Sequence, residues 1–172
     1  MTQETVSLRF ATEADARQIA EVHEASSQAI YRGLLPDEVL AYFCVTRREA
    51  LWKEVLSESK TVTLLLKREG VVIGFADIGP TRDADESHYR RDHFDLSRRG
   101  VWGKGLGRKL FQRALDPLRG ESFEAVTLWV LGTNRRAHAF YEKMGFEPDG
   151  MEKIMPMKIG ERREIRYRLR LV

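Results

Sequence analysis

The sequence predicts a mixed α/β fold in a single domain spanning residues 1–172. Short aliphatic and β-branched runs alternate with stretches of helical period along the whole chain, the pattern of sheets and helices packed on one core. Two aliphatic runs flank the turn signal Glu69-Gly70, as in a β-hairpin. Glycines at positions 103, 105 and 107 lead straight into an amphipathic stretch, as where a loop enters a helix against a ligand. At this length one domain can bury a full-sized core.

Taken in order, Leu8 and Phe10 mark a short first strand, and Thr12 with Asp15 forms a capping pair for the first helix. Ala16, Ile19, Ala20 and His23 fall on one face of that helix. The segment Tyr31-Arg32-Gly33-Leu34-Leu35-Pro36 breaks the pattern, and Pro36 at a first-turn position starts a helix through Val39, Leu40 and Phe43. Thr46 and Glu49 have the spacing of a capping box ahead of Leu51, Trp52, Val55 and Leu56. Thr61 to Leu66 and Val71 to Ile78 are the arms of the hairpin, with Gly74 marking a bulge or a close approach. Pro80 to Glu86 is loop-like. A glycine-led helix follows from Leu106 to Leu118, with Leu110, Phe111, Ala114 and Leu115 on one stripe. Val126 to Leu131 is apolar throughout and therefore central in its sheet. Asn134 begins a helix that Gly145 ends. Ile165, Tyr167, Leu169 and Leu171 alternate with Arg166, Arg168 and Arg170, which predicts a last strand with one wet face.

Composition narrows the function. Lys and Arg number 29 against 26 acids, a net charge of +3. The basic residues occur in short pairs such as Arg98-Arg99 and Arg135-Arg136, with no element that would read nucleic acid, so no nucleic-acid partner is expected. Pairs near the glycines would attract an anionic cofactor. No apolar run reaches the roughly 18 residues a membrane span needs, and the polar start is no secretory signal, so a cytoplasmic protein without a membrane partner is expected. The single cysteine, Cys44, excludes an internal disulfide and argues against a thiolate metal site. It reads as a small core residue rather than a nucleophile, because no basic partner lies near it in sequence. His23, His88, His93 and His138 lack metal-ligand spacing, and Met151, Met155 and Met157 read as packing residues.

The run Trp102-Gly103-Lys104-Gly105-Leu106-Gly107-Arg108 carries the most chemistry. Glycine permits positive φ and close approach to the main chain, and the free N–H groups and dipole of a helix start favour an anion. Two phosphate-binding patterns fail. Gly107 is followed by Arg108 and Lys109 where the P-loop needs Lys and then Ser or Thr, and G-x-G-x-G is not the dinucleotide spacing G-x-G-x-x-G.

This loop, followed by the strand Val126 to Val130 and then by Asn134-Arg135-Arg136-Ala137-His138-Ala139-Phe140-Tyr141-Glu142-Lys143-Met144-Gly145-Phe146, resembles the GNAT superfamily of acyl-CoA-dependent N-acyltransferases. The family form Q/R-x-x-G-x-G/A is matched with Trp102 at the Gln/Arg position, and the resemblance extends over nearly the whole chain. It implies a mostly antiparallel central sheet of six to seven strands flanked by helices, acetyl-CoA (CoA) as cofactor, and an acetyl-CoA-dependent N-acetyltransferase. The partner would be a small-molecule or peptide amine acceptor, attacking directly in a ternary complex, and a homodimer is common in the family. By the same resemblance the amides of Trp102, Gly103, Lys104, Gly105, Leu106, Gly107 and Arg108 hold the pyrophosphate, Lys104 or Arg108 meets a phosphate, and Asn134 lies along the pantetheine arm. Tyr141 matches the family's tyrosine acid, which protonates the departing thiolate; a phenol ionises near pH 10 and holds its proton at neutral pH. Asn134 is equally the N-cap of its helix, and Ala137, Phe140, Tyr141 and Met144 also form an ordinary core stripe. An alternative is a CoA-binding but catalytically weak sensor or interaction module.

One segment departs from the family. Before the glycine loop the family has a strand of alternating apolar residues, often with a Glu, whereas residues 88–101 are rich in charge and make a poor strand. With synonymous codons chosen freely, the stretch from His88 to Val101 can be reread one nucleotide later as Thr-Thr-Gly-Glu-Ile-Thr-Ser-Ile-Tyr-Leu-Ala-Ala-Ala, which is such a strand. A compensated frameshift is therefore a hypothesis for this segment. It would replace a carboxylate base by Arg91, with Asp92 or Asp95 as substitutes, and put activity in doubt while leaving the phosphate loop intact.

Overall fold

The computed structural model describes residues 5–33, 36–58, 60–81, 83, 89–96, 105–118, 123–156 and 161–171. The chain divides into two units, residues 1–79 with 93–116 and residues 80–92 with 117–172.

In the first unit, β1 (Val6–Phe10) pairs antiparallel with β2 (Val62–Arg68), which pairs antiparallel with β3 (Val71–Pro80). The β2–β3 turn has positive φ at both central residues, 51° at Glu69 and 79° at Gly70, the two-residue geometry that matches strand twist. A bulge falls beside Gly74, where Leu66 pairs with Gly74 and Lys67 already with Val72, as its place in the strand predicts.

Between β1 and β2 run α1 (Ala16–Tyr31), the short α2 (Asp37–Leu40) and α3 (Val45–Ser57). The Thr12–Asp15 pair forms as expected: the Thr12 N–H and hydroxyl donate to the Asp15 carboxylate at 2.9 and 3.1 Å across a 3-10 turn. Ala16, Ile19 and Ala20 pack with Trp52 of α3 and with Leu65, Val72 and Phe75 of the sheet. His23 sits edge-on to Trp52 and Phe75 of this cluster and accepts a hydrogen bond from the Trp52 indole at 3.2 Å. α4 (Leu106–Leu115) turns the buried Leu110, Phe111, Ala114 and Leu115 inward and packs against β2.

In the second unit the strand order is β4-β5-β7-β6, formed by the first four residues of β4 (Tyr89–Leu96), β5 (Ala125–Leu131), β7 (Glu161–Arg170) and β6 (Glu147–Pro156). β5 is central, parallel to β4 and antiparallel to β7, as its continuous apolar run demands. The helix α5 (Arg135–Lys143) lies between β5 and β6. Among the described residues there are seven strands, mostly antiparallel, in the expected mixed class, with the pairings above falling into one set per unit.

Five readings are corrected. The Thr46–Glu49 capping box does not form: Cys44 is the N-cap residue of α3, half-buried rather than in the core, and Glu49 pairs with Lys53 and Arg17 instead. Leu51, placed on the apolar stripe, is 60% exposed. Residues 89–96, charged as they are, form strand β4 and pair with β5 through Tyr89–Arg91. The last strand has no uniformly wet face, because Arg166 is 2% exposed and ion-paired.

Candidate cofactor and acceptor site

The glycine loop ends in a left-handed residue. Gly105, with φ 73°, is the N-cap of α4, a conformation that costs an L side chain and costs glycine nothing. The first intrahelical bond runs from the Lys109 N–H to the Gly105 carbonyl at 3.1 Å. The N–H groups of Leu106, Gly107 and Arg108 therefore precede the helical ladder and project from its positive end, which suits an anion. Gly107 is buried, while the Arg108 side chain is exposed. Trp102, Gly103 and Lys104 lie outside the described residues.

In the other unit, the Asn134 side chain accepts from the Ala137 N–H at 3.2 Å and caps α5. The helix closes on a Schellman pair, with the Gly145 N–H donating to Glu142 and the Phe146 N–H to Tyr141, and Gly145 at φ 91°. Tyr141 is 8% exposed, edge-on to Phe140 and Phe146 at 5.3 and 5.6 Å between centroids. Two turns of α5 are clasped to β7: the Tyr167 hydroxyl donates to Glu142 at 3.1 Å and lies 2.8 Å from His138 Nδ1. His138 Nε2 faces the Leu131 carbonyl at 3.1 Å, a contact in which the nitrogen donates and the carbonyl accepts. Burial raises the Tyr167 phenol above its ordinary range, and the Glu142 carboxylate adds to this.

Among the described residues of this unit the β4–β5 register runs from Tyr89↔Ala125 to Arg91↔Thr127, and β5 continues to Leu131. Two residues past Thr127, on the same face, stands Trp129. Its indole N–H donates to Asp83 at 2.9 Å. Lys153 Nζ of β6 donates to the other oxygen of Asp83 at 2.9 Å and lies 3.7 Å from the centre of the Trp129 ring. Arg166, opposite Trp129 on β7, donates to Asp149 at 2.7 Å and reaches Asp83 at 3.6 Å, and Arg168 meets Asp149 at 3.3 Å. Burial alone would raise the Asp83 pKa, but the hydrogen bonds from Lys153 and Trp129 and the charges of Lys153 and Arg166 hold it below its ordinary value.

A family model, the acetyltransferase (GNAT) family, matches residues 21–146 of the chain. The chain belongs to this family. The L-amino acid N-acyltransferase MnaT of Escherichia coli (strain K12) is 26% identical to this GNAT chain over 144 residues, covering 82% of the chain and 79% of MnaT. A 49-residue stretch is 53% identical to the mycothiol acetyltransferase of Beutenbergia cavernae, covering 28% of the chain but only 16% of that relative. Among solved structures, YncA of Salmonella typhimurium, determined with its cofactor acetyl-CoA, shares the fold with a TM-score of 0.71 at 21% identity, over 98% of this chain and 95% of that one.

Within the GNAT frame, Gly105, Leu106, Gly107 and Arg108 form the start of α4, and Asn134 and Tyr141 sit on α5 at its cap and on its buried stripe. The Asp83–Trp129–Lys153–Arg166 group was not legible as a site. Asp83 is one of three acids, with Asp85 and Glu86, in a loop-like stretch, and nothing local sets it apart, because its partners lie 46, 70 and 83 residues away in sequence. Among the described residues no group of His, Cys, Asp and Glu could hold a metal ion, and no helix is long and apolar enough to cross a membrane.

Proposed function

We propose that this GNAT chain is an acetyl-CoA-dependent N-acetyltransferase that moves an acetyl group to a primary amine of a small molecule or peptide, by direct attack in a ternary complex. The observation that carries the reading is the start of α4: a left-handed Gly105 ahead of three amides that precede the helical ladder. Such a terminus fits a pyrophosphate, with Arg108 exposed beside it and residues 102–104 completing the motif. The thioester of acetyl-CoA supplies the activated acyl group. Asn134, fixed as a cap by its bond to Ala137, offers its remaining amide capacity to the pantetheine arm. β5 beyond the Arg91↔Thr127 pair offers backbone groups on its β4 edge. Tyr141 holds the proton for the leaving sulfur, and its burial among Phe140 and Phe146 fixes the ring. The relation to MnaT, an L-amino acid N-acyltransferase by name, supports a small amine as acceptor.

The test is acetyl-CoA-dependent thiol release with a panel of primary amines. Tyr141→Phe is expected to retain acetyl-CoA binding while turnover falls by about 100-fold, the lower range for a positioned acid. Turnover unchanged in Tyr141→Phe removes its assigned role, and binding without acceptor-dependent release favours a CoA-binding module.

A further inference from the structure

We propose that the Trp129 ring and the Asp83 carboxylate form a binding site for a primary ammonium group, which Lys153 occupies in the acceptor-free chain. A carboxylate oxygen 2.9 Å from an ammonium nitrogen and an indole centroid 3.7 Å from it are the two walls that recognise such a cation. One wall supplies charge and the other a π face. The walls also hold each other, since the indole N–H donates to the same carboxylate at 2.9 Å and leaves the second oxygen for the cation.

Charge pairing around the cage singles out the cation at that oxygen. Arg166 makes its short contact to Asp149, at 2.7 Å against 3.6 Å to Asp83, and Arg168 also meets Asp149. Asp83 is thereby left with Lys153 as its close countercharge. The two partners differ in freedom: the Asp83 side chain is 12% exposed and the Lys153 side chain 42%. A carboxylate so enclosed stays, whereas an ammonium on a four-carbon stem at the protein boundary can swing away. A ligand ammonium of the same shape would then take its place without rearranging the walls. Trp129 of the cage stands on β5 two residues past the Arg91↔Thr127 pair. That its ligand is the acyl acceptor's own ammonium, or a second one on a diamine, rests on the acetyltransferase reading; the cage itself does not.

The probe is n-butylammonium, the lysine side chain without its backbone. It is titrated against the full chain as wild type, Lys153→Met and Lys153→Met/Asp83→Asn, and followed by Trp129 emission, assigned with Trp129→Phe, and by thermal melts. Lys153→Met is expected to bind butylammonium at least about tenfold more tightly than wild type, because the internal competitor is gone, and the added Asp83→Asn is expected to abolish the gain. Equal responses in wild type and Lys153→Met, or a gain that survives Asp83→Asn, overturn the proposal. If Asp83→Asn does not melt cooperatively, Trp129→Leu in the Lys153→Met background replaces it, with the same loss expected. Thiol release separates the two readings. A lower amine KM in Lys153→Met at unchanged acetyl-CoA KM supports both, whereas the binding pattern without turnover in any variant sustains the cage and overturns the acetyltransferase reading.

Discussion

Asp15 is a single side chain that joins strand β1 to the start of α1. Its carboxylate accepts from Arg9 at 2.8 and 2.5 Å and from the Thr12 N–H at 2.9 Å. The Arg9 hydrogen bonds are the largest cause of a pKa lowered to about 2, with Thr12 contributing against the cost of burial. A depressed carboxylate stabilises the fold above its unfolded pKa and loses that contribution as pH falls through the folded value. Because Arg9 is half-exposed, the contribution is about 1–2 kcal/mol after screening. Asp15→Asn is accordingly expected to lower the urea midpoint at pH 7, and the gap from wild type should close between about pH 4 and pH 2. Gly105 is the second such residue. Among the described residues, no atom beyond its chain neighbours lies within 4 Å of a Cβ built there, and Gly105→Ala meets backbone strain at φ 73°. The expected loss is about 1–2 kcal/mol in the thermal melt, together with weaker acetyl-CoA binding by calorimetry as the loop relaxes.

At the level of elements, β4 is where sequence and structure diverge most. A charged stretch forms a strand because its neighbour β5 supplies a ladder at Tyr89–Arg91, so pairing overrides propensity. The coding DNA is the decisive measurement: codons from His88 to Val101 whose +1 reading gives Gly-Glu-Ile identify a compensated frameshift, and any other reading identifies a basic strand of the protein's own. Elements with local signals were legible. The β2–β3 hairpin, the Asn134 cap and the Gly145 stop each depend on residues within a few positions of one another. What failed depends on distant partners. Glu49 has the right spacing for a box with Thr46, but the helix already starts after Cys44, and Glu49 pairs with Lys53 at 2.8 Å and with Arg17, 32 residues earlier, at 3.2 Å. Arg166 alternates as a wet-face residue would, and its ion pairs with Asp149 and Asp83, 17 and 83 residues away, help keep a cation at 2% exposure. Periodicity reports which side chains share a face; it does not report whether that face is covered. The candidate site follows the same division, since Gly105, Asn134 and Tyr141 belong to contiguous motifs whereas Asp83 does not.

For the molecule as a whole, a ligand that binds only the folded chain must stabilise it by mass action. Acetyl-CoA at about 100 times its dissociation constant contributes roughly 2.7 kcal/mol. For a chain of this length that corresponds to a rise in Tm of roughly 5–10 °C. Thermal melts with acetyl-CoA, against buffer alone and adenosine as controls, measure it, and an unchanged Tm rejects the cofactor assignment. The net charge of +3 adds a dependence on ionic strength, because an anionic cofactor is drawn to the chain less strongly in salt.

The contact of Lys153 with Asp83 and the Trp129 ring sets a scale for selectivity. A competitor tethered by a short flexible stem has an effective concentration on the order of millimolar. Free amines far below that level would lose to the protein's own side chain, so the proposed site would fill only where its amine accumulates. Shortening or neutralising one surface lysine would then shift the concentration at which the chain begins to work, without altering a residue assigned to cofactor binding or proton transfer.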